Sequence, residues 1–202
     1  ASPEMGACYP TLFRSGYSVV ACNKLPFSGP YAQFCMLQRE ALEAGTSLRY
    51  ETTVGAALPV LVTLDRVVQS GDSLIRMEAV LSGTLNFIFN EIAADVPFSE
   101  TVRRAKEQRY SEPDPRIDLS GTDVIRKLVI LTREAGYKVE QADVEKHLFV
   151  PDEYFEGSLD DFWKRLPELD ADFEKRRQRL EAEGKRWRFV ATMENGKTSV
   201  AL

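Results

Sequence analysis

The stretch Arg109–Gly136, RYSEPDPRIDLSGTDVIRKLVILTREAG, constrains the fold more than any other. From Val124 onward the apolar residues Val124, Leu128, Leu131 and Ala135 return at i, i+4, i+7 and i+11, a spacing that an α-helix gathers onto one side. Gly136 supplies the stop, and Ser120 with Asp123 makes a near-capping box at the start. Ahead of the helix stand Pro113 and Pro115. Each pushes the residue before it out of the helical region, so Glu112 and Asp114 are expected to be extended. The pattern predicts a stiff acidic loop that runs directly into a helix start.

Asp123 and Lys127 are four apart on that helix, which sets a carboxylate and an ammonium on one face near the helix's positive end. An ordinary surface pair of this spacing contributes about 0.3–0.5 kcal/mol, and that account is open here. The context adds a second one. Glu112, Asp114, Asp118 and Asp123 fall within twelve residues. They repel one another unless a cation lies among them, and Lys127 balances one charge. A cationic ligand is the natural completion.

At 202 residues with 44% hydrophobic and 28% charged residues, the chain can bury a substantial core, and fibrous and disordered classes are excluded. A net charge of −5 argues against nucleic acid as a partner. The basic residues between Lys175 and Arg188 are interleaved with Glu174, Glu181 and Glu183, as on a solvated helix. There is no apolar run of the length a membrane span needs, and ASPEMGACYP lacks the features of a signal peptide, so a cytoplasmic protein with no membrane partner is expected. The N-terminus enters a structural signal at once and reads as a piece cut from something longer. Cys8, Cys22 and Cys35 are expected as free thiols. Cys22 lacks a base to activate it, and His147, the one histidine, suits surface or packing duty better than a metal or a triad.

Along the chain, residues 3–15 read as helix with a restart near Pro10. Ser18–Cys22 reads as a buried strand that ends at Asn23 and Lys24. A lysine beyond the carboxyl end of a strand in a parallel sheet is placed to meet a ligand, or is a plain loop lysine. Helix is expected at 31–44, strand at 47–51 and helix from Pro59 to Gln69. The glycine-containing loop TTVGAALP between them either makes a simple turn or aims several carbonyls at a hard cation. Strand is expected at 73–81. Ser82-Gly83-Thr84 then opens a helix, where Ser82 or Thr84 caps and Thr84 presents a hydroxyl beside unpaired amides that favour a carboxylate. Ser99 is expected to cap the next helix, to Gln108. Helices at 142–147, 159–166 and 171–183 precede a hairpin, 186–193 and 197–202, about Asn195-Gly196.

The run YSEPDPRIDLSGTDVIRKLVIL, with SGTLNFIF at 82–89, YETTVGAALPV at 50–60 and ACNK at 21–24, resembles homoserine dehydrogenase. The blocks follow that family's order over roughly residues 1–140, and the tail from Leu166 to Ala191 resembles the bifunctional aspartokinase–homoserine dehydrogenase type. The resemblance implies an α+β fold with a mixed or mainly antiparallel sheet covered by helices on one face. It also implies a Rossmann-type remnant at 1–45 and a substrate-binding and dimerisation domain at 46–202, truncated at its C-terminus. The implied reaction interconverts homoserine and aspartate 4-semialdehyde with NADP or NAD, within threonine and methionine biosynthesis. A homodimer or higher assembly and fusion to an aspartokinase are implied as well.

By the same resemblance, Lys24 lines the active site between nicotinamide and substrate, and the carbonyls of Glu51, Val54, Ala56 and Leu58 align with the family's sodium site. Homoserine needs an anion for its ammonium, donors for its carboxylate and a group to handle its hydroxyl proton. Glu112 is assigned the ammonium, and Thr84 and Tyr110 orient the substrate. Asp118 and Asp123 hold substrate and Lys127. Lys127 takes the proton or donates to the developing alkoxide, with Lys24 as second candidate. Arg109 departs from the family pattern, in which glycine is usual. No G-x-G-x-x-G turn is present, so this chain alone is expected to be folded, dimeric and catalytically silent. Two alternatives are a non-catalytic amino-acid-binding module and an aspartate-semialdehyde dehydrogenase. The latter requires a Cys–His pair that the sequence does not offer.

Overall fold

The computed structural model describes residues 3–202. It opens with α1 (Pro3–Ala7) and α2 (Tyr9–Arg14), and Pro10 is absorbed in the first turn of α2, where a missing N–H costs nothing. β1 (Val19–Val20), α3 (Leu25–Ser28), α4 (Tyr31–Glu43) and β2 (Leu48–Arg49) follow. The two strands pair in parallel, Val19 opposite Leu48 and Val20 opposite Arg49, and α3 with α4 form the crossover that parallel pairing demands. Both strands are shorter than their alternation suggested. After a single 3₁₀ turn at Glu51–Thr53 come α5 (Leu61–Gln69), β3 (Arg76–Ala79), α6 (Gly83–Glu91), α7 (Phe98–Glu107), α8 (Arg116–Leu119) and α9 (Thr122–Glu134). The chain closes with β4 (Glu145–His147), α10 (Leu159–Arg165), α11 (Asp170–Ala182) and the hairpin β5 (Val190–Glu194) and β6 (Lys197–Ala201).

The second sheet has the order β3-β5-β6-β4, so the fold is mixed α+β as expected. Its hairpin turns at Asn195 and Gly196, whose φ angles of 49° and 80° are those the Asn-Gly pair tolerates best. Burial alternates along both hairpin strands: Ala191, Met193, Thr198 and Val200 point to the core. The helix expected at 142–147 is not there. A 3₁₀ turn at Gln141–Asp143, capped reciprocally by Glu140 and Asp143, leads into β4 instead, because hydrogen bonding along the sheet outweighs a weak helical pattern. Ser99 does not cap α7 either. It lies inside the first turn, and the carboxylate of Asp170 accepts from its amide at 2.7 Å and its hydroxyl at 2.6 Å. The acidic loop also does not run straight into α9, since α8 and Gly121, at φ 68°, intervene.

The chain packs as two compact units. The first comprises the described residues up to Leu81, Ile125–Glu145 and Thr192–Ser199. The second comprises Ser82–Val124, Lys146–Ala191 and Val200–Leu202. In the first, Phe13, Phe27, Leu37, Tyr50, Ile130 and Leu131 form the centre of the core, with the Phe27 and Tyr50 rings stacked at 3.9 Å. In the second, Phe98 stacks on Phe173 at 3.9 Å while Phe149 meets Phe89, Phe98, Phe173 and Phe189 edge-on. The stripe read from the sequence of α9 is buried, but so are Ile125, Val129, Ile130, Thr132 and Arg133. α9 is thus enclosed over more of its circumference than a one-sided helix would be.

Candidate active site

In the first unit, Lys24 lies just beyond β1 and is the N-cap residue of α3. Its carbonyl accepts from the Phe27 amide at 3.1 Å, the Ser28 amide at 2.9 Å and the Ser28 hydroxyl at 3.0 Å. The Asn23 side-chain oxygen accepts from the Leu25 amide at 3.2 Å. The backbone of Lys24 is therefore tied down while its side chain stays half-buried. Lys127 lies on α9, also half-buried, and its ammonium donates to the Leu81 carbonyl at 2.7 Å. That bond aims the side chain at the residue preceding the Ser82–Thr84 turn.

The loop after Tyr50 is shaped by two consecutive left-handed residues, Gly55 (φ 77°) and Ala56 (φ 51°). Such a pair bends the backbone sharply. The Glu51 carbonyl accepts from the Val54 amide at 3.3 Å and the Leu58 carbonyl from the Val60 amide at 2.9 Å, which leaves each a second lone pair. The Glu51 carboxylate does something the sequence did not announce. It accepts from the first two amides of α5, Leu61 at 2.8 Å and Val62 at 2.9 Å.

In the second unit, Ser82 caps α6, accepting from the Leu85 amide at 3.1 Å, so of the two candidate caps it is Ser82 that fills the role. Thr84 donates its hydroxyl to the Tyr110 carbonyl at 2.6 Å, and the exposed Tyr110 ring stacks on Phe87 at 4.3 Å. Thr84 and Tyr110 are thereby joined into one piece. The Asp118 carboxylate accepts from the Glu112 amide at 2.9 Å, folding the acidic loop back on itself and leaving the Glu112 side chain exposed. Burial pushes the Asp118 carboxyl up, as do the charges of Glu112 and Asp123, against the pull of the Glu112 amide and Thr84. Asp123, half-buried, occupies the first turn of α9, one helical turn before Lys127.

Arg116 is the counter-charge that the sequence reading overlooked. Its guanidinium clasps Asp114 at 2.7–3.0 Å and holds that carboxyl below its usual range; a further N–H reaches the Gly157 carbonyl at 3.0 Å. One of the four carboxylates is therefore already balanced. The signal was present as Asp-Pro-Arg, two residues apart. Arg109 adopts φ 61°, the conformation that makes glycine the easier residue at that turn. The three cysteines are free thiols, with Cys22 and Cys35 exposed, and His147 is exposed on β4. The basic tail is solvated helix: Arg176 pairs with Asp172 and Arg177 with Glu174 and Glu181 along α11.

The homoserine dehydrogenase family model matches residues 59–202, and the chain belongs to the homoserine dehydrogenase family. It is 40% identical over 206 residues to the Arabidopsis thaliana bifunctional aspartokinase/homoserine dehydrogenase 2, chloroplastic, covering 100% of this chain and 22% of that protein. Its fold matches that of a Candida auris protein of unknown function with a TM-score of 0.92 at 33% identity, over 99% of this chain and 58% of the other. A hyperthermophilic archaeal homoserine dehydrogenase in complex with NADPH matches with a TM-score of 0.72 at 24% identity, over 100% of this chain and 52% of that one. The chain spans about a fifth of the length of the bifunctional plant relatives it matches. Among the described residues no helix is long and apolar enough to cross a membrane.

Proposed function

We propose that these residues form the substrate-handling part of an enzyme that interconverts homoserine and aspartate 4-semialdehyde by hydride transfer with NADP or NAD. The observation that carries this is the Lys127 ammonium, half-buried and aimed by a 2.7 Å bond to the Leu81 carbonyl. A lysine aimed in this way is placed to hydrogen-bond a developing alkoxide. Glu112, exposed on a loop fixed by Asp118, offers an uncommitted side-chain charge for the substrate's ammonium. Thr84 and Tyr110, joined by their own hydrogen bond, orient the substrate, and Asp123 holds Lys127 and substrate.

Residues 1–45 read as a remnant of a nucleotide-binding part, supported by the parallel pairing of β1 through the α3–α4 crossover, and 46–202 as the substrate-binding and dimerisation domain. Lys24, just past β1, fits the nicotinamide end of a dinucleotide, which supplies the hydride acceptor or donor when bound. The carbonyls of Glu51, Val54, Ala56 and Leu58 suit a sodium ion in chemistry, being neutral oxygens on a loop bent by Gly55 and Ala56. Homodimerisation and fusion to an aspartokinase, the second of which the names of the plant relatives describe for those proteins, complete the proposal. Homoserine-dependent NADP reduction by the longer protein containing these residues tests it. Lys127→Ala should lower turnover about a hundredfold or more with the fold intact, and near-normal turnover would remove Lys127 from the reaction.

A further inference from the structure

Arg133, ion-paired with Glu140, is a fully enclosed charge: its side chain is 0% exposed. Its Nη1 donates to the Phe27 carbonyl at 2.7 Å and its Nη2 to the Gly29 carbonyl at 2.7 Å. Nε and Nη2 both reach the Val139 carbonyl, at 3.1 and 2.9 Å, and Nη2 also reaches Glu140 at 3.0 Å. The guanidinium sits 5.4 Å from the ring centres of Tyr31 and Phe34. Around it the grip continues. Glu140 accepts from the Tyr31 amide at 2.9 and 3.1 Å, and Gln141 donates to the Ser28 carbonyl at 2.7 Å.

What is being gripped is α3. A helix of four residues has too few internal bonds to hold itself, since nucleation costs more than one turn returns. Its last two carbonyls, at Phe27 and Ser28, and that of Gly29 just past it are taken by Arg133 and Gln141, and its N-cap residue is Lys24. The clamp also belongs to α9, the helix that carries Lys127 six residues earlier, a rise of about 9 Å along a rigid rod. One side chain thus fixes the segment bearing one lysine to the helix bearing the other. A whole buried ion pair can often be replaced by apolar packing at little cost, whereas removing the arginine alone strands Glu140 and the Phe27, Gly29 and Val139 carbonyls and is destabilising. What a guanidinium adds is a planar fork that sets direction.

We propose that Arg133 is a positioning residue that, with Glu140, sets the placement of Lys24 relative to Lys127. It touches neither substrate nor cofactor. The inference rests on the role given above to the two lysines, but its first test does not. In this chain, the rate at which each lysine amine is acylated by a small reagent is read residue by residue by mass spectrometry, for wild type, Arg133→Met, Arg133→Lys and Glu140→Gln. Lys24 should react about threefold faster or more in Arg133→Met, Lys127 should be unchanged, and melting should stay cooperative. Arg133→Lys and Glu140→Gln, which keep part of the clamp, should fall between and carry the comparison if Arg133→Met does not fold. Unaltered Lys24 reactivity in folded variants overturns the proposal.

The second test uses the longer protein. Turnover should fall about tenfold or more in Arg133→Lys while KM for homoserine and for the cofactor stays near wild type. A loss that follows thermal stability alone, with KM and kcat moving together, assigns Arg133 a merely structural role. Altered Lys24 reactivity in a protein with no homoserine oxidation would leave the clamp standing and refute the functional reading instead.

Discussion

Glu51 carries two separable jobs, and substituting it pulls them apart. Its carboxylate holds the first two amides of α5 at 2.8 and 2.9 Å, while its backbone carbonyl is one of the four proposed cation contacts. Two hydrogen bonds to a charged acceptor are worth about 1.5–3 kcal/mol each where buried. Glu51 is only half-buried, and water can replace part of what is lost. An N-terminal cap of this kind is typically worth about 1–2 kcal/mol, and the helix dipole adds about 0.3–1 kcal/mol. Glu51→Ala should therefore cost about 2 kcal/mol, and Glu51→Gln, which keeps one acceptor, about 1 kcal/mol. Urea titration followed by far-UV circular dichroism reads the global change, and amide exchange at Leu61 and Val62 reads the local one. If Glu51→Ala lies within about 0.5 kcal/mol of wild type with those amides still protected, the capping argument is wrong. Sodium should stabilise wild type and Glu51→Gln equally, because the carbonyl survives. A sodium effect lost in Glu51→Gln would assign the cation to the side chain.

Three further outcomes are expected. Glu134 is half-buried, accepts from the Tyr50 hydroxyl, and has its carboxyl raised above the ordinary 4.5 by desolvation and by the charges of Asp65 and Glu51. A raised carboxyl binds its proton more tightly in the folded state, so its ionisation costs stability as pH climbs from 4.5 through the folded value. Glu134→Gln should gain on wild type over that climb, in melting curves run from about pH 4 to 8, and a pH-independent difference would contradict this. Arg109→Gly relieves a left-handed arginine and should change stability by less than about 1 kcal/mol, in the favourable direction; a clear loss on urea titration would show that the arginine side chain itself is needed. Glu112→Gln in the longer protein should raise KM for homoserine by about tenfold and leave that for the cofactor unchanged, and a shift confined to the cofactor would move Glu112 to the other half of the reaction.

Much of the layout was legible because local chemistry decides it. The parallel start, the long helices at 31–43 and 122–134 and the Asn-Gly hairpin announce themselves through periodicity and turn residues, and long helices tolerate an error of one or two positions at their ends. Short elements do not. The segment at 145–147 has too few residues for a period to emerge, and the neighbouring strand settled it. Ser99 looked like a cap because serine usually is one, whereas Asp170, seventy-one residues away in sequence, supplies the acceptor. The acidic loop was read as four carboxylates balanced only once, by Lys127, because charge balance was sought along α9 and not back across Pro115, where Arg116 holds Asp114.

The sequence by itself determined where the long helices and the hairpin lie, which residues form their apolar sides, and that carboxylates and a lysine concentrate between Glu112 and Lys127. These depend on contacts within a few residues, whose geometry is fixed by covalent structure and backbone sterics. Only the tertiary structure decided which charges are already satisfied. Lys127 meets the Leu81 carbonyl across forty-six residues, and Arg133 meets Phe27 across one hundred and six. A buried guanidinium reads in sequence like any surface arginine near a helix end, because its desolvation and its partners exist only once distant backbone carbonyls have been brought around it.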